Sequence, residues 1–282
     1  MRLIGSLFCV AGVAAQYSCI NGALSKQADH VLLGASPNAT TGQLNRTFLF
    51  LTAELGLPVA WNFSTFGGPF GSGGANVGNV NLEVVPFSGV AIEPCMTPNA
   101  TTEALTRLQV PFKDDKFPAF ENIMLTDFAT ADDSLLFFCT YSYDQAARRE
   151  LLWRDLLAHG GGRLGVLFAR RISLEIPSSA WDAQLLNWRT LMYPRKPLPG
   201  CCPSGGNTCE YAVEGGPALR LTSSGTAAAL AVSSVELAVS SVTAAAHALQ
   251  ELQHLGPQVG DCVEIAGLAV TAAMLLCPLD AD

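Results

Sequence analysis

The chain has 282 residues, of which 49% are apolar and 14% charged. This balance excludes a mainly disordered protein, which needs few apolar and many charged groups. The formal net charge of −8 and the pI near 5.0 argue against a nucleic-acid partner, because phosphate binding needs a basic face. The composition favours a small molecule as the partner, and the length suits one large domain or two compact ones.

Residues 1–15 have the features of a signal peptide. Arg2 supplies a positive charge, residues 3–14 are apolar apart from Gly and Ser, and small residues precede Gln16. The apolar run is too short to span a bilayer. We therefore expect a secreted protein or one of the endomembrane lumen. The alternative is a buried N-terminal strand or helix in a cytoplasmic protein.

The cysteines and the N-glycosylation motifs agree with secretion. Loss of Cys9 with the signal peptide would leave eight cysteines, an even number that suits an oxidising compartment. Adjacent Cys201 and Cys202 can hardly bond to each other, so each needs another partner. Four Asn-x-Ser/Thr motifs predict a glycoprotein, although such short motifs also arise by chance. They begin at Asn38, Asn45, Asn62 and Asn99.

The first predicted unit has the order β-α-β-β-β. Residues 28–35 form a short strand, and a helix follows in which four apolar residues recur at i, i+4, i+7 and i+11. Those four are Leu44, Phe48, Leu51 and Leu55. Gly56 then ends the helix. Three strand-like runs complete the unit, at 59–63, 74–78 and 80–87.

A Pro- and Thr-rich stretch at 88–118 is interpreted as an ordered linker or lid. A strand at 134–142 and a helix from about Asp144 to His159 then define a weaker module at 119–168. The pair Arg148 and Arg149 on this helix is expected to face solvent.

The same order returns in the second half of the chain. A strand at 170–176 precedes a helix with the apolar spacing of the first unit, and strand-like runs follow. A further copy begins at 230–239. The repeats predict two domains, at 16–168 and 169–282. A membrane-spanning helix at 226–249 is disfavoured because the stretch contains Glu and His and is mostly Ala instead of Leu or Ile.

The residues Asp29-His30-Val31-Leu32-Leu33, a helix, and then Glu54-Leu55-Gly56-Leu57-Pro58-Val59 resemble the opening of a glyoxalase-like domain. This domain belongs to the vicinal-oxygen-chelate superfamily, which includes glyoxalases, bleomycin-resistance proteins and dioxygenases. The resemblance covers 28–276, most densely 28–86. It implies an α+β fold in which paired βαβββ modules form curled mixed sheets in two pseudo-symmetric domains. A monomer and a homodimer are both compatible with module pairing.

The resemblance also implies a divalent metal (zinc, nickel, manganese or iron) held inside the sheet by residues of the first and last strands. His30 and Glu83 match two such ligand positions, and a metal there would polarise a carbonyl group or activate bound water. The alternatives are a capping or core role for His30, and an outward or Arg-paired carboxylate for Glu83. Arg171 and Arg220 stand at the matching positions of the second domain, where they cannot ligate a cation.

Three aromatic residues, Trp61, Phe63 and Phe66, are candidates for lining a pocket in the first domain, with ordinary core packing as the alternative. The sequence thus predicts a small-molecule-binding protein, catalytic if a metal is present, as a lyase, isomerase or dioxygenase. The alternative is a non-catalytic protein that sequesters its ligand without a metal. Neither a nucleic acid nor a membrane span is expected.

Overall fold

The computed structural model describes residues 19, 23–62, 73–116, 120–126, 134–141, 143–195 and 206–279. The predicted signal peptide lies outside the described residues. So do Phe63, Phe66, Cys201 and Cys202.

The first half of the chain forms an eight-stranded mixed sheet with strand order β2-β3-β4-β1-β5-β8-β7-β6. Its strands are β1 (Ser25–Leu33), β2 (Val59–Trp61), β3 (Gly73–Asn76), β4 (Asn81–Val84), β5 (Ser88–Pro94), β6 (Phe112–Lys116), β7 (Phe120–Leu125) and β8 (Ser134–Tyr141). Its helices are α1 (Thr41–Leu49), which continues as a π-helix (Phe50–Glu54), α2 (Pro98–Arg107) and α3 (Gln145–Ala158).

The second half forms a seven-stranded sheet with strand order β10-β11-β9-β12-β15-β14-β13. Its strands are β9 (Val166–Pro177), β10 (Thr208–Tyr211), β11 (Ala218–Ser224), β12 (Ala231–Val239), β13 (Leu255–Val259), β14 (Cys262–Ile265) and β15 (Ala273–Pro278). Its helices are α4 (Trp181–Met192) and α5 (Val242–Glu251).

Each sheet is a pair of strand-helix-strand units whose first strands meet antiparallel at the centre, β1 with β5 and β9 with β12. The last strand of each unit returns parallel to its first strand, as β4 does beside β1 and β11 beside β9. The predicted α+β fold of paired βαβββ modules, curled into mixed sheets in two pseudo-symmetric domains, is confirmed.

The interpretation of 88–118 as a linker is wrong, because this stretch contains β5, α2 and β6. Its Thr and Pro residues begin a helix: the Thr97 side chain accepts a hydrogen bond from the backbone of Ala100, and Pro98 occupies the first helical turn. The second unit is therefore β5-α2-β6-β7-β8. Residues 119–168 are not a module, since α3 connects the two sheets. The predicted domain boundary at 168/169 falls inside β9.

Helix α1 forms where the apolar spacing predicts it. Thr40 and Gln43 make a capping box at its start, and the stripe of Leu44, Phe48 and Leu51 is buried against the sheet. One continuous apolar core extends under both sheets. Asn79 also joins the two halves, because its side-chain amide exchanges two hydrogen bonds with the backbone of Ala169, at 2.9 and 3.0 Å.

Disulfide bonds join Cys19 to Cys95 and Cys262 to Cys277, and Cys209 is also disulfide-bonded. Cys139, one of the eight cysteines expected to remain after loss of Cys9, is a free, buried thiol, so these eight do not all pair with one another. Among the described helices, none is both long and apolar enough to cross a membrane.

Candidate functional site

A β-bulge in β1 places two polar residues together at the centre of the first sheet. Ala28 pairs with Ile92 of β5 and His30 pairs with Ala91, so Asp29 is an extra residue without a partner on β5. Both Asp29 and His30 are buried, and His30 Nδ1 lies 2.8 Å from Asp29 Oδ2. The bulge thus lets two consecutive side chains bond to each other.

His30 and Glu83, which the sequence places on the first and last strands of one unit, face each other in the structure. The parallel register of β1 and β4 pairs Leu32 with Glu83, and the His30 Nε2 atom lies 3.8 Å from Glu83 Oε1. Asp29, His30 and Glu83 therefore form a buried carboxylate–imidazole–carboxylate series. A ligand role for His30 and Glu83 stays a prediction.

Besides His30, three groups from two other elements hold Asp29. The Arg149 guanidinium lies 2.6 Å from one carboxylate oxygen, and the Tyr141 hydroxyl donates to the other at 2.6 Å. Gln145 donates to the first oxygen at 3.4 Å. Arg149 also forms an ion pair with Glu93 at 2.7 Å. Arg149 is buried, so the expectation that it faces solvent is wrong. Its ion pairs with Asp29 and Glu93 stabilise the guanidinium in this buried position.

These contacts determine the protonation of Asp29. Burial alone would raise its pKa, but the hydrogen bond and the charge of His30, together with Arg149 and Tyr141, outweigh burial and lower the pKa to about 2. Asp29 is therefore ionised throughout the physiological range. Burial and the charge of Asp29 raise the pKa of Tyr141. The Tyr141 hydroxyl therefore stays protonated and donates a hydrogen bond to Asp29.

The pKa of His30 is raised and so is that of Glu83. Burial by itself would lower the pKa of His30, but the charges of Glu83 and Asp29 and the hydrogen bond to Asp29 reverse its effect. Burial raises the pKa of Glu83 and the Asp29 charge adds to it, against the lowering effect of His30 and Trp61. These interactions thus favour a protonated His30 ring between the carboxyl groups of Asp29 and Glu83.

Trp61, one of the predicted pocket residues, is part of this site. Its ring packs edge-on against His30 at 6.3 Å and stacks on Tyr141 at 5.7 Å, and the Arg148 guanidinium lies 5.2 Å from its centre. Within the described residues the buried indole Nε1 has no hydrogen bond of normal geometry, although it lies close enough to Glu83 to lower the pKa of that carboxyl. A donor with at most a weak bond to Glu83 therefore lies beside His30.

Next to the polar series, the same face of the sheet is apolar. Its buried residues form a cluster separate from the main core, and the Phe137 ring contacts His30 at 5.5 Å. The cluster consists of Leu32, Val85, Ala91, Phe137 and Cys139, with Phe87, Met124, Leu135 and Tyr141 packed against it. We call these nine residues the apolar floor. The site thus has a polar end and an apolar end.

Among the described residues, His30 and Glu83 alone do not complete a site for a resident metal. His30 Nε2 and the Glu83 carboxylate are two donors, whereas protein sites for catalytic metals supply at least three. By the offset that relates His30 to Glu83, the equivalent positions of the second unit are Ala91 on β5, which pairs with His30, and Cys139 on β8, the residue after Phe138, which pairs with Ile92. Ala91 has no ligand atom, and burial raises the pKa of the Cys139 thiol, which therefore keeps its proton. In the part of the chain that the structure describes, no three His, Cys, Asp or Glu side chains are grouped to hold a metal.

The second sheet carries arginines at the equivalent positions. Arg171 pairs with Ala218 and Ser173 with Arg220, the same offsets as in β1 and β4. Arg171 forms ion pairs with Glu236 at 2.8 Å and Glu210 at 3.2 Å. Glu210 also pairs with Arg220, at 2.7 Å. In the second sheet, the arginines at the positions equivalent to His30 and Glu83 are therefore both paired with glutamates.

Sequence reasoning missed three members of the site: Asp29, Tyr141 and Arg149. Asp29 precedes His30, so strand alternation places the two on opposite faces unless a bulge intervenes. An acidic residue beside a histidine in an otherwise apolar strand is the signal that could have found it. Arg149 had no such signal, because adjacent arginines on a helix are ordinarily solvated.

No family model and no curated protein sequence matches the chain. Solved structures do match its fold. The structure is similar to homoprotocatechuate 2,3-dioxygenase from Arthrobacter globiformis, with 10% identity, a TM-score of 0.54, and coverage of 95% of this chain and 86% of that one.

Two further structures show the same likeness. The 2,3-dioxygenase LapB from Pseudomonas sp. KL28 is 9% identical, with a TM-score of 0.55 and coverage of 91% of this chain and 94% of that one. The Mn(II)-bound glyoxalase from Novosphingobium aromaticivorans is 10% identical, with a TM-score of 0.52 and coverage of 92% and 84%. At this identity the likeness shows the fold alone. The chain has the fold of the vicinal-oxygen-chelate superfamily.

Proposed function

We propose that this protein binds a small apolar or aromatic molecule that carries an oxygen function, on the inner face of the first sheet and without a metal. The observation that carries the proposal is the continuity of the apolar floor with the polar series. Phe137 belongs to the floor and contacts His30, while His30 faces Glu83. Apolar sites with a few convergent polar groups are typical of small-molecule recognition.

The polar end explains why the ligand should carry oxygen. Within the described residues the buried Trp61 Nε1 has no hydrogen bond of normal geometry, and a ligand oxygen would supply one. Asp29 holds His30 through Nδ1, so the Nε2 atom faces Glu83 and the ligand. With its raised pKa, His30 donates a second hydrogen bond from Nε2. A phenol or a carbonyl compound accepts both bonds.

The test compares p-cresol and toluene, which differ by one hydroxyl group, by calorimetric titration. We expect p-cresol to bind about tenfold more tightly than toluene, because toluene leaves the Trp61 donor unpaired. His30→Ala should reduce this preference, because it removes one of the two donors while Trp61 remains. The matched control is His247→Ala, whose side chain is 74% exposed and which should leave both affinities unchanged. Equal affinities for the two ligands, or no binding of either, would contradict the proposal.

A second candidate is a divalent-metal-dependent lyase, isomerase or dioxygenase. Two observations favour it: the Asp29 carboxylate orients the His30 ring as carboxylates do for metal-bound histidines, and Glu83 faces the other ring nitrogen at 3.8 Å. A metal held there would activate a ligand oxygen.

Elemental analysis decides between the two candidates. The protein is purified without chelators or a metal-affinity tag, then incubated with zinc, nickel, manganese and iron beside a His30→Ala, Glu83→Ala double variant. Near-stoichiometric metal that is lost in the double variant would establish the metalloenzyme and overturn the metal-free proposal. Equal, substoichiometric metal in both proteins supports the binding protein.

A further inference from the structure

A groove of about 760 Å³ lies on the opposite side of the first sheet from the His30 site, between helix α1 with its π-helical extension and the loop before β15. One wall carries Arg46, Phe50 and Glu54, and the other carries His254 and Leu268. The π-helical turn from Phe50 to Glu54 forms part of the first wall, and such turns occur frequently at functional sites.

Direct bonds between its walls hold the groove open in one shape. The backbone of Ser36 donates to Ala269 at 3.0 Å, and the backbone of Ala269 donates to the Thr47 hydroxyl at 3.0 Å. The Phe50 and His254 rings stack with their centres 3.9 Å apart. Because its walls are fixed in this way, the groove is preformed, and ligand binding costs little free energy for ordering it.

His254 offers a hydrogen-bond acceptor in the groove. Its Nδ1 atom lies 2.6 Å from the Ala266 carbonyl oxygen, and because a carbonyl can only accept, Nδ1 carries the proton. In the neutral ring Nε2 then has a free lone pair. Within the described residues no hydrogen bond engages Nε2.

Arg46, Phe50 and Glu54 are spaced i, i+4 and i+8, so they follow one another along a single helix face. The segment is α-helical to Leu49 and π-helical from Phe50. The α-helical rise of about 1.5 Å per residue therefore sets an upper limit of about 12 Å between the backbones of Arg46 and Glu54. Both charged side chains are exposed, and neither forms an ion pair with another described residue. The groove therefore has a free cation near one end, a free anion near the other, and an aromatic pair between them.

We propose that this groove binds a short zwitterionic peptide of about three residues. An extended chain advances about 3.4 Å per residue, so three residues span about 10 Å, close to the distance between the backbones of Arg46 and Glu54. The peptide carboxylate pairs with Arg46, on the side of the helix N-terminus, and its ammonium pairs with Glu54 at the C-terminal end. The helix dipole favours this orientation. A backbone N–H of the peptide donates to His254 Nε2.

The experiment is calorimetric titration of unglycosylated full-length protein with the tripeptide Ala-Leu-Ala and with its N-acetylated, C-amidated form. The Asn38→Gln background removes the glycosylation motif at the rim of the groove. We expect saturable binding of the free peptide and at least tenfold weaker binding of the capped one, because capping removes both charges.

The variants Arg46→Gln and Glu54→Gln should each weaken binding about tenfold. The matched controls, Arg107→Gln and Glu103→Gln, alter exposed residues of α2 and should bind like the parent. Binding that is absent, insensitive to capping, or unchanged in Arg46→Gln and Glu54→Gln overturns the proposal. His30→Ala should leave peptide binding unchanged, so failure at this groove is distinct from failure of the function proposed for the first sheet.

Discussion

Asp29 of β1 and Arg170 of β9 occupy the same β-bulge in the two sheets. Each is the extra residue immediately before the one that pairs across the centre, His30 with Ala91 in the first sheet and Arg171 with Glu236 in the second. The same backbone position thus carries a carboxylate in the first sheet and a guanidinium group in the second.

The inversion extends to the last strand, where Glu83 of β4 corresponds to Arg220 of β11. In the second sheet the guanidinium groups are balanced by Glu210 and Glu236. A bulge that is preserved while its charges change indicates that the backbone geometry is a property of the fold, whereas the chemistry belongs to each sheet. The His30 site is therefore specific to the first sheet.

Asp29→Asn should destabilise the protein by about 3 kcal/mol at pH 7, because it leaves the buried Arg149 with one of its two carboxylate partners removed. The measurement is urea unfolding. The matched control is Asp155→Asn, which changes an exposed carboxylate and should alter the free energy of unfolding by less than about 0.5 kcal/mol.

Urea unfolding of the parent and Asp29→Asn at acidic pH tests the pKa of Asp29. This pKa is about 2 in the folded protein, below the ordinary value of 3.8, so Asp29 stabilises the fold above pH 4. That contribution, roughly 2 kcal/mol, is lost as the pH falls towards 2. The difference in stability between the parent and Asp29→Asn should shrink over this interval. A constant difference would show that Asp29 has an ordinary pKa.

His30 gives the opposite pH dependence. Its pKa is raised in the folded state, so the folded protein holds this proton more tightly than the unfolded chain. The resulting stabilisation is fully present below the ordinary pKa of about 6.5 and is lost as the pH rises through the raised value. Unfolding free energies between pH 6 and pH 9 should fall more steeply in the parent than in His30→Gln. His247→Gln, at an exposed position, should follow the parent.

The paired positions of His30 and Glu83 could be predicted because the order of strands and helices determines which strand ends lie side by side. The bulge at Asp29 could not, since nothing in the local sequence requires an unpaired residue there. The burial of Arg149 depends on Glu93, 56 residues away, which lies in the stretch interpreted as a linker. Because β5 was interpreted as part of a linker, Glu93 could not be recognised as the partner of Arg149 on α3.

Gly89 of β5 should not tolerate a side chain. A Cβ atom built there lies 1.9 Å from the Leu135 carbonyl oxygen of β8, a backbone atom that cannot move without breaking the sheet. We expect Gly89→Ala to cost about 3 kcal/mol or more, or to prevent folding. Gly225→Ala is the matched control, because a Cβ atom at that position meets nothing within 4 Å. Similar melting temperatures for the two variants would contradict the close approach of β5 and β8.

The Cys262–Cys277 disulfide closes a loop with a sequence separation of 15. Replacing both residues by Ser should lower the free energy of unfolding by about 3 kcal/mol, because the unfolded chain gains conformational freedom. Unfolding in urea without reductant measures the loss. Cys139→Ser serves as a second comparison, since Cys139 forms no disulfide and its change leaves every cross-link intact. An unchanged stability of the double variant would show that the bond does not form in solution.

We propose that the protein enters the secretory pathway, and its glycosylation motifs provide the test. The side chains of Asn38, Asn45, Asn62 and Asn99 are all exposed, as attachment of a glycan requires. Expression in eukaryotic cells should give a secreted protein whose gel mobility increases on treatment with a peptide N-glycosidase.

Each Asn→Gln replacement at a used position should remove one step of that mobility shift, and the fourfold variant should show none. The secreted form should also lack residues 1–15, which N-terminal sequencing would detect. Protein that remains in the cytosol, unshifted and with its first residues intact, would contradict secretion. It would also leave the disulfides Cys19–Cys95 and Cys262–Cys277 in a reducing compartment, where such bonds are rare.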